Sequence, residues 1–275
     1  MALLAGCQTI AVPTVTPTRT LSGATLAPTD NVIPLPPTEL PAGFEDRTGS
    51  SGATAAALPN SLDLPPLAIT SEGSNGVQIV QITTEGDDVL IGALYADVPI
   101  RAPGVVLVAE QREVWGNFPR TLEANGYITL VIAVPPDLTT AEFVQVLGSF
   151  TDLAQGDAAR LDPGRIAVIG EDNGALVALR GCVIDRRCDV LGLLSIPPTD
   201  GLALEAGRYG DRPLLVSASR TDAGRFRAAQ QAAAAGLGVV QFQPFDDAGQ
   251  GAAMISARPD FEDLLLTWLA RHLRG

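Results

Sequence analysis

The sequence predicts a doubly wound α/β domain with a mostly parallel sheet, entered through an N-terminal antiparallel hairpin and carrying no large lid insertion. Three observations lead there. Short apolar runs recur along the chain, stretches of helical spacing separate most of them, and one segment turns from strand to helix within about five residues. That segment, residues 165–180 (RIAVIGEDNGALVALR), opens with the branched run Ile166-Ala167-Val168-Ile169 and ends in an Ala/Leu/Val run, with Gly170 and Gly174 between them. So abrupt a turn needs small residues where helix and strands approach closely, and the two glycines meet that need.

The elements follow in order. From residue 8 to about residue 64 the chain is rich in Pro, Thr, Ser, Gly and Ala and has neither strand nor helix period. Such a segment buries too little apolar surface to offset its ordering entropy and reads as an extended tether. The tether is placed at residues 8–75 and the folded domain at 76–275. Residues 77–84 (VQIVQITT) alternate apolar and polar, and residues 89–95 (VLIGALY) follow the turn Glu85-Gly86-Asp87-Asp88, giving the hairpin. The apolar runs 104–109, 127–133, 165–169, 190–196, 213–218 and 239–244 then read as buried parallel strands. Helices are expected at 117–125, 140–155, 174–183, 221–235 and 259–273. Ala124-Asn125-Gly126 and Asp162-Pro163-Gly164 stand where the alternation needs helices to stop.

Bulk composition bounds the function. The chain has 275 residues, 46% of them hydrophobic, enough for one α/β domain plus a tail. Its net charge is −13 and it contains no lysine, which argues against nucleic acid as a partner and against attraction of the folded part to an anionic membrane. No apolar run reaches the roughly 18 to 20 residues of a membrane span.

Leu4-Ala5-Gly6-Cys7 resembles the lipobox of bacterial lipoproteins, whose cysteine becomes the acylated N-terminus. Residues 1–7 are therefore expected to be a shortened lipoprotein signal, with Cys7 as the lipidation site and the bacterial envelope as the location. A chance four-residue match is the alternative. Cys182 and Cys188 are close enough to bridge in an oxidising compartment; two buried thiols are the other reading, and no nearby His or Cys completes a metal site.

The segment Gly170-Glu171-Asp172-Asn173-Gly174 resembles the nucleophile elbow, G-x-S-x-G, of the α/β-hydrolase superfamily. The whole of residues 77–275 looks similar to its dienelactone-hydrolase and small-esterase branches. The resemblance implies a nucleophile at Asp172, where those enzymes carry serine. Dehalogenases and epoxide hydrolases of the same fold use an aspartate nucleophile but tend to follow it with tryptophan, where this chain has Asn173. The bland role for Asp172 is a capping carboxylate at the N-terminus of the helix beginning at Gly174.

The resemblance places the triad acid at Asp222, itself a good helix cap. It places the base within Phe245-Asp246-Asp247-Ala248-Gly249-Gln250-Gly251-Ala252, where Gln250 stands in the histidine's place and cannot take a proton near neutral pH. His272, the only histidine, falls late in the last helix and away from the site. Glu110, after the first parallel strand, would oppose negative charge where the family builds its oxyanion hole.

The three altered signatures together predict a pseudoenzyme: a membrane-tethered binding module for an unidentified protein or small molecule, with no cofactor. The rival is a hydrolase of esters or carbon–halogen bonds using Asp172. A further alternative is a cation-dependent domain, since Glu110, Glu171, Asp172, Asp222, Asp246 and Asp247 all fall on loops at one predicted edge; Glu110, Asp172, Asp246 and Asp247 are its candidate ligands.

Overall fold

The structure, a computed structural model, describes residues 68–72, 76–84, 89–98, 101–152 and 160–274. Cys7 and the Leu4-Ala5-Gly6-Cys7 motif lie outside the described residues, as does most of the expected tether.

Among the described residues nine strands form one sheet: β1 (Ala68–Glu72), β2 (Val77–Thr83), β3 (Val89–Tyr95), β4 (Ala102–Ala109), β5 (Ile128–Ala133), β6 (Leu161–Glu171), β7 (Val190–Leu194), β8 (Leu214–Ser219) and β9 (Val240–Phe245). Their spatial order is β1-β2-β3-β5-β4-β6-β7-β8-β9. The first three strands and the β3–β5 contact are antiparallel, and every pairing from β5 through β4 to β9 is parallel. The expected hairpin is β2–β3. β1 adds a strand outside it, within the stretch assigned by composition to the tether; five residues between Pro65-Pro66 and a Gly-Ser-Asn-Gly run are too short to show a period.

The helices are α1 (Phe118–Ala124), α2 (Thr140–Asp152), α3 (Asn173–Ile184), α4 (Leu202–Tyr209), α5 (Ala223–Ala235), α6 (Ala253–Ala257) and α7 (Pro259–Leu273). α2 to α5 cover one sheet face, contributing Phe143, Leu179, Tyr209 and Ala229 to its core. α1, α6 and α7 cover the other, with Phe118, Met254 and Leu265. Strands β4, β7 and β8 are buried along their whole length, which is why they appear in the sequence as unbroken apolar runs rather than as alternating ones.

The two turn signals behave differently. Asn125 and Gly126 end α1 as expected, Gly126 taking φ 77°. Asp162-Pro163-Gly164 instead lies inside β6, where pairing steps from Pro103–Asp162 directly to Gly104–Ile166. The Pro-Gly pair is thus accommodated as an irregularity at the entry to the strand, where proline's missing N–H costs no ladder bond.

Cys182 and Cys188 form a disulfide across the loop that ends α3, with Cα atoms 5.4 Å apart. Arg212 fills the same loop, its guanidinium donating to the carbonyls of Cys182, Asp185, Cys188 and Tyr209 while stacking on the Tyr209 ring. The cross-link and the arginine together fix the C-terminal end of α3, the helix that follows Asp172.

Candidate functional site

The site is built where β6 passes into α3. Gly170 and Gly174 are required by packing: a Cβ on Gly170 would meet the Gly174 carbonyl oxygen at 2.4 Å, and one on Gly174 would meet the Val108 carbonyl oxygen at 2.4 Å. Between them Asp172 takes φ 48° and ψ −124°, a conformation that L residues enter only when the surroundings impose it. The strained elbow expected of G-x-S-x-G is therefore present with an aspartate at its apex.

The apex side chain does not cap α3. It makes no hydrogen bond to the helix's first-turn N–H groups, which corrects the capping role considered from sequence. The strained backbone directs the carboxylate toward α5, where both oxygens accept from the same guanidinium nitrogen of Arg225, at 2.7 and 2.8 Å. The other terminal nitrogen of Arg225 donates to Asp222 Oδ2 at 3.0 Å.

Asp222 is the N-cap of α5, its Oδ1 accepting from the N–H groups of Gly224 and Arg225, each at 3.0 Å. Those backbone bonds, and then Arg225's side chain, hold its carboxyl below the usual carboxylate range. Arg225 is correspondingly raised, first by its bonds to Asp172. Gln250 completes the set: its amide donates to Asp222 Oδ2 at 3.1 Å. The positions that the resemblance assigns to nucleophile, acid and base are thus brought together, and an arginine that the sequence reading passed over links two of them.

Glu171, beside the apex and placed by the sequence only as part of the acidic edge, also takes part in the site. Burial pushes its carboxyl up, and the nearby charges of Asp172 and Glu110 add to the rise. It accepts from Ala252 N–H at 3.2 Å, and Gly251 passes so close that a Cβ there would lie 1.7 Å from Glu171 Oε2. Ser195, another non-glycine residue at positive φ, accepts from Gly251 N–H at 2.8 Å. Together these bonds seat the loop that presents Gln250.

A testable consequence follows for Glu171→Gln, which keeps a carbonyl acceptor for Ala252 but removes the charge. Because the folded-state pKa of Glu171 lies above its unfolded value, the folded form binds the extra proton. Stability therefore falls as pH rises from the unfolded glutamate pKa through the raised one. Glu171→Gln is expected to gain about 1 kcal/mol at pH 7 and to lose that advantage on acidification; thermal melts of both proteins from pH 4 to 7 check it.

Glu110 is exposed and accepts from the Asn173 side chain. Asp246 pairs with Arg220 at 3.1 Å, and Asp247 is exposed. Among the described residues no group of three or more His, Cys, Asp or Glu side chains is placed to hold a metal ion. The cation ligands considered at Glu110, Asp172, Asp246 and Asp247 accordingly do not converge, three of them being engaged by Asn173, Arg225 and Arg220. His272 sits edge-on to Trp268, 5.6 Å between ring centroids. Its neighbour Leu273 accepts through its carbonyl oxygen from Arg165, at the half of β6 remote from Asp172. Burial lowers the His272 pKa.

No protein-family profile matches the sequence, and no curated protein matches it. Solved structures do match. An esterase from Pyrococcus furiosus shares 18% identity and a TM-score of 0.59 over 76% of this chain and 99% of its own. An acetyl xylan esterase from Paenibacillus sp. R4 shares 13% and 0.60 over 77% and 90%. A thermostable carboxylesterase cloned from a metagenomic library shares 14% and 0.56 over 77% and 92%. The likeness shows that the chain has the α/β-hydrolase fold.

Proposed function

We propose that this α/β-hydrolase-fold domain is a non-catalytic binding module, carried by a bacterial envelope lipoprotein anchored through Cys7 and a Pro/Thr-rich tether. The observation that carries the loss of catalysis is the pairing of Asp172 with Arg225. A carboxylate held through both oxygens by a guanidinium has its charge balanced and its nucleophilicity lowered, the opposite of what activates a nucleophile. The group nearest the acid position from the base loop is an amide, which takes up no proton near neutral pH.

What remains at this edge is a polar, mostly acidic surface for a protein or small-molecule ligand; nucleic acid does not suit a chain of net charge −13. The anchor rests on Leu4-Ala5-Gly6-Cys7 and on the composition that follows it.

A second reading, a hydrolase of esters or carbon–halogen bonds with Asp172 as nucleophile, has the retained backbone strain at Asp172 in its favour. It requires Arg225 to withdraw and water to be activated without a histidine at position 250. Turnover separates the two. The purified chain is expected to hydrolyse short p-nitrophenyl esters and haloalkanes no faster than its Asp172→Ala variant. A rate well above that of the variant would overturn the binding-module reading.

A further inference from the structure

We propose that the β9 edge of the sheet joins two copies of this chain about a two-fold axis, continuing the sheet antiparallel from one copy to the other. Among the described residues β9 is an edge strand, paired only with β8. Residues 236–245 (GLGVVQFQPF) contain no charged side chain, and Leu237 and Val239 are 72% and 58% exposed. Edges open to solvent are ordinarily defended by charge; this one has only Pro244, close to its end.

The backbone pattern favours self-pairing in one register. Leu214 N–H donates to the Val239 carbonyl, and Arg220 N–H to that of Phe245, so the odd-numbered residues of β9 turn their polar backbone groups toward β8. By alternation Val240 and Phe242 turn theirs outward. A two-fold axis at Gln241 sets Val240 against Phe242 of the second copy and Phe242 against its Val240. Each pair exchanges two N–H···O=C bonds, four in all, and Pro244 interrupts none of them. The same register places a β-branched side chain opposite an aromatic one on a single sheet face, a favourable cross-strand pair.

Charge selects the partner as a second copy. α7 lies beside β9, where Gln241, Asp263, Thr267 and Arg271 line one shallow depression. Asp263, Thr267 and Arg271 are exposed and stand one helical turn apart, acid, neutral and base in that order. A two-fold axis passing by Gln241 and Thr267 runs the two α7 helices antiparallel, so Asp263 of each copy faces Arg271 of the other. Neither residue has an ion-pair partner among the described residues. A surface of one sign would make a homodimer of so acidic a chain repulsive; this stripe is complementary to its own reverse.

The test is sedimentation velocity on the full chain, with Cys7 alkylated so that no intermolecular disulfide forms. A reversible dimer at micromolar concentration is expected. Asp263→Arg and Arg271→Asp each set like charges face to face twice per dimer and are expected to weaken it about tenfold or more. The double variant D263R/R271D restores opposite charges and is expected to recover the parent's dissociation constant. A chain that stays monomeric throughout, or a dimer that both single variants leave unchanged, would overturn the proposal.

Discussion

Gly174→Ala is expected to destabilise the domain by about 3 kcal/mol or more, a fall in melting temperature of about 6 to 12 °C. The added methyl would lie 2.4 Å from the Val108 carbonyl oxygen and 2.7 Å from its carbonyl carbon. Both atoms belong to the buried backbone of β4, which cannot turn aside as a flexible side chain would. Relief requires α3 to move away from the sheet, and α3 packs against β4, β6 and β7 as well as α2 and α4. Alanine normally improves a helix over glycine by about 1 kcal/mol, so the sign of the effect is itself informative. Thermal or urea unfolding checks it, and a variant as stable as the parent would mean that the helix does not approach β4 as closely as described.

Arg225→Met is expected to cost about 2 kcal/mol at pH 7, less than a fully buried ion pair would because Arg225 and both partners keep some contact with water. Methionine retains most of the apolar stem, so the loss reports on the guanidinium. Without it Asp172, Asp222 and Glu171 are left near one another with no cation between them, and the strained apex loses the contact that fixes its side chain. In the parent the depressed pKa of Asp222 gives stability that is present above the unfolded aspartate value and is lost as pH falls through the folded one. The gap between parent and variant should therefore narrow below about pH 4. Adding Asp172→Asn to Arg225→Met should recover part of the loss, and a double-mutant cycle measures how much of the pair is mutual.

These two substitutions mark what the sequence disclosed and what it did not. The parallel core was legible because strands buried on both faces must be continuous apolar runs, and the elbow because two glycines four residues apart have few other uses between a strand and a helix. α4 was not, since Gly207 within it and Gly201 and Gly210 at its ends read as turn residues. α6, five residues long, has no room for a period. At the site, the positions of Asp172, Asp222 and Gln250 could be read from order along the chain, but their partners could not. Arg225 is three residues beyond Asp222 and reads locally as its helix mate; that it also reaches Asp172, 53 residues earlier, is set by how β6 and β8 are spaced in the sheet. The same holds for Glu171, whose pKa is raised chiefly by burial and whose contacts to Gly251 and Ala252 come from a loop distant in sequence.

The central claim is that Asp172 forms no covalent bond with a substrate. If Asp172 were the nucleophile, one of its carboxylate oxygens would displace halide from a haloalkane to form an alkyl ester, or expel the alkoxide of an ester substrate to form a mixed anhydride; water attacking the Asp172 carboxyl carbon would then release the alcohol or the acid and leave one solvent oxygen in the side chain. The most direct measurement is the mass of the Asp172 peptide after the full chain has been incubated with ester and haloalkane substrates in ¹⁸O-water. The account predicts a peptide of unchanged mass, with neither ester nor heavy oxygen on Asp172. An Asp172 peptide carrying the alkyl or acyl group, or one ¹⁸O atom absent from the Asp172→Asn control, would contradict it.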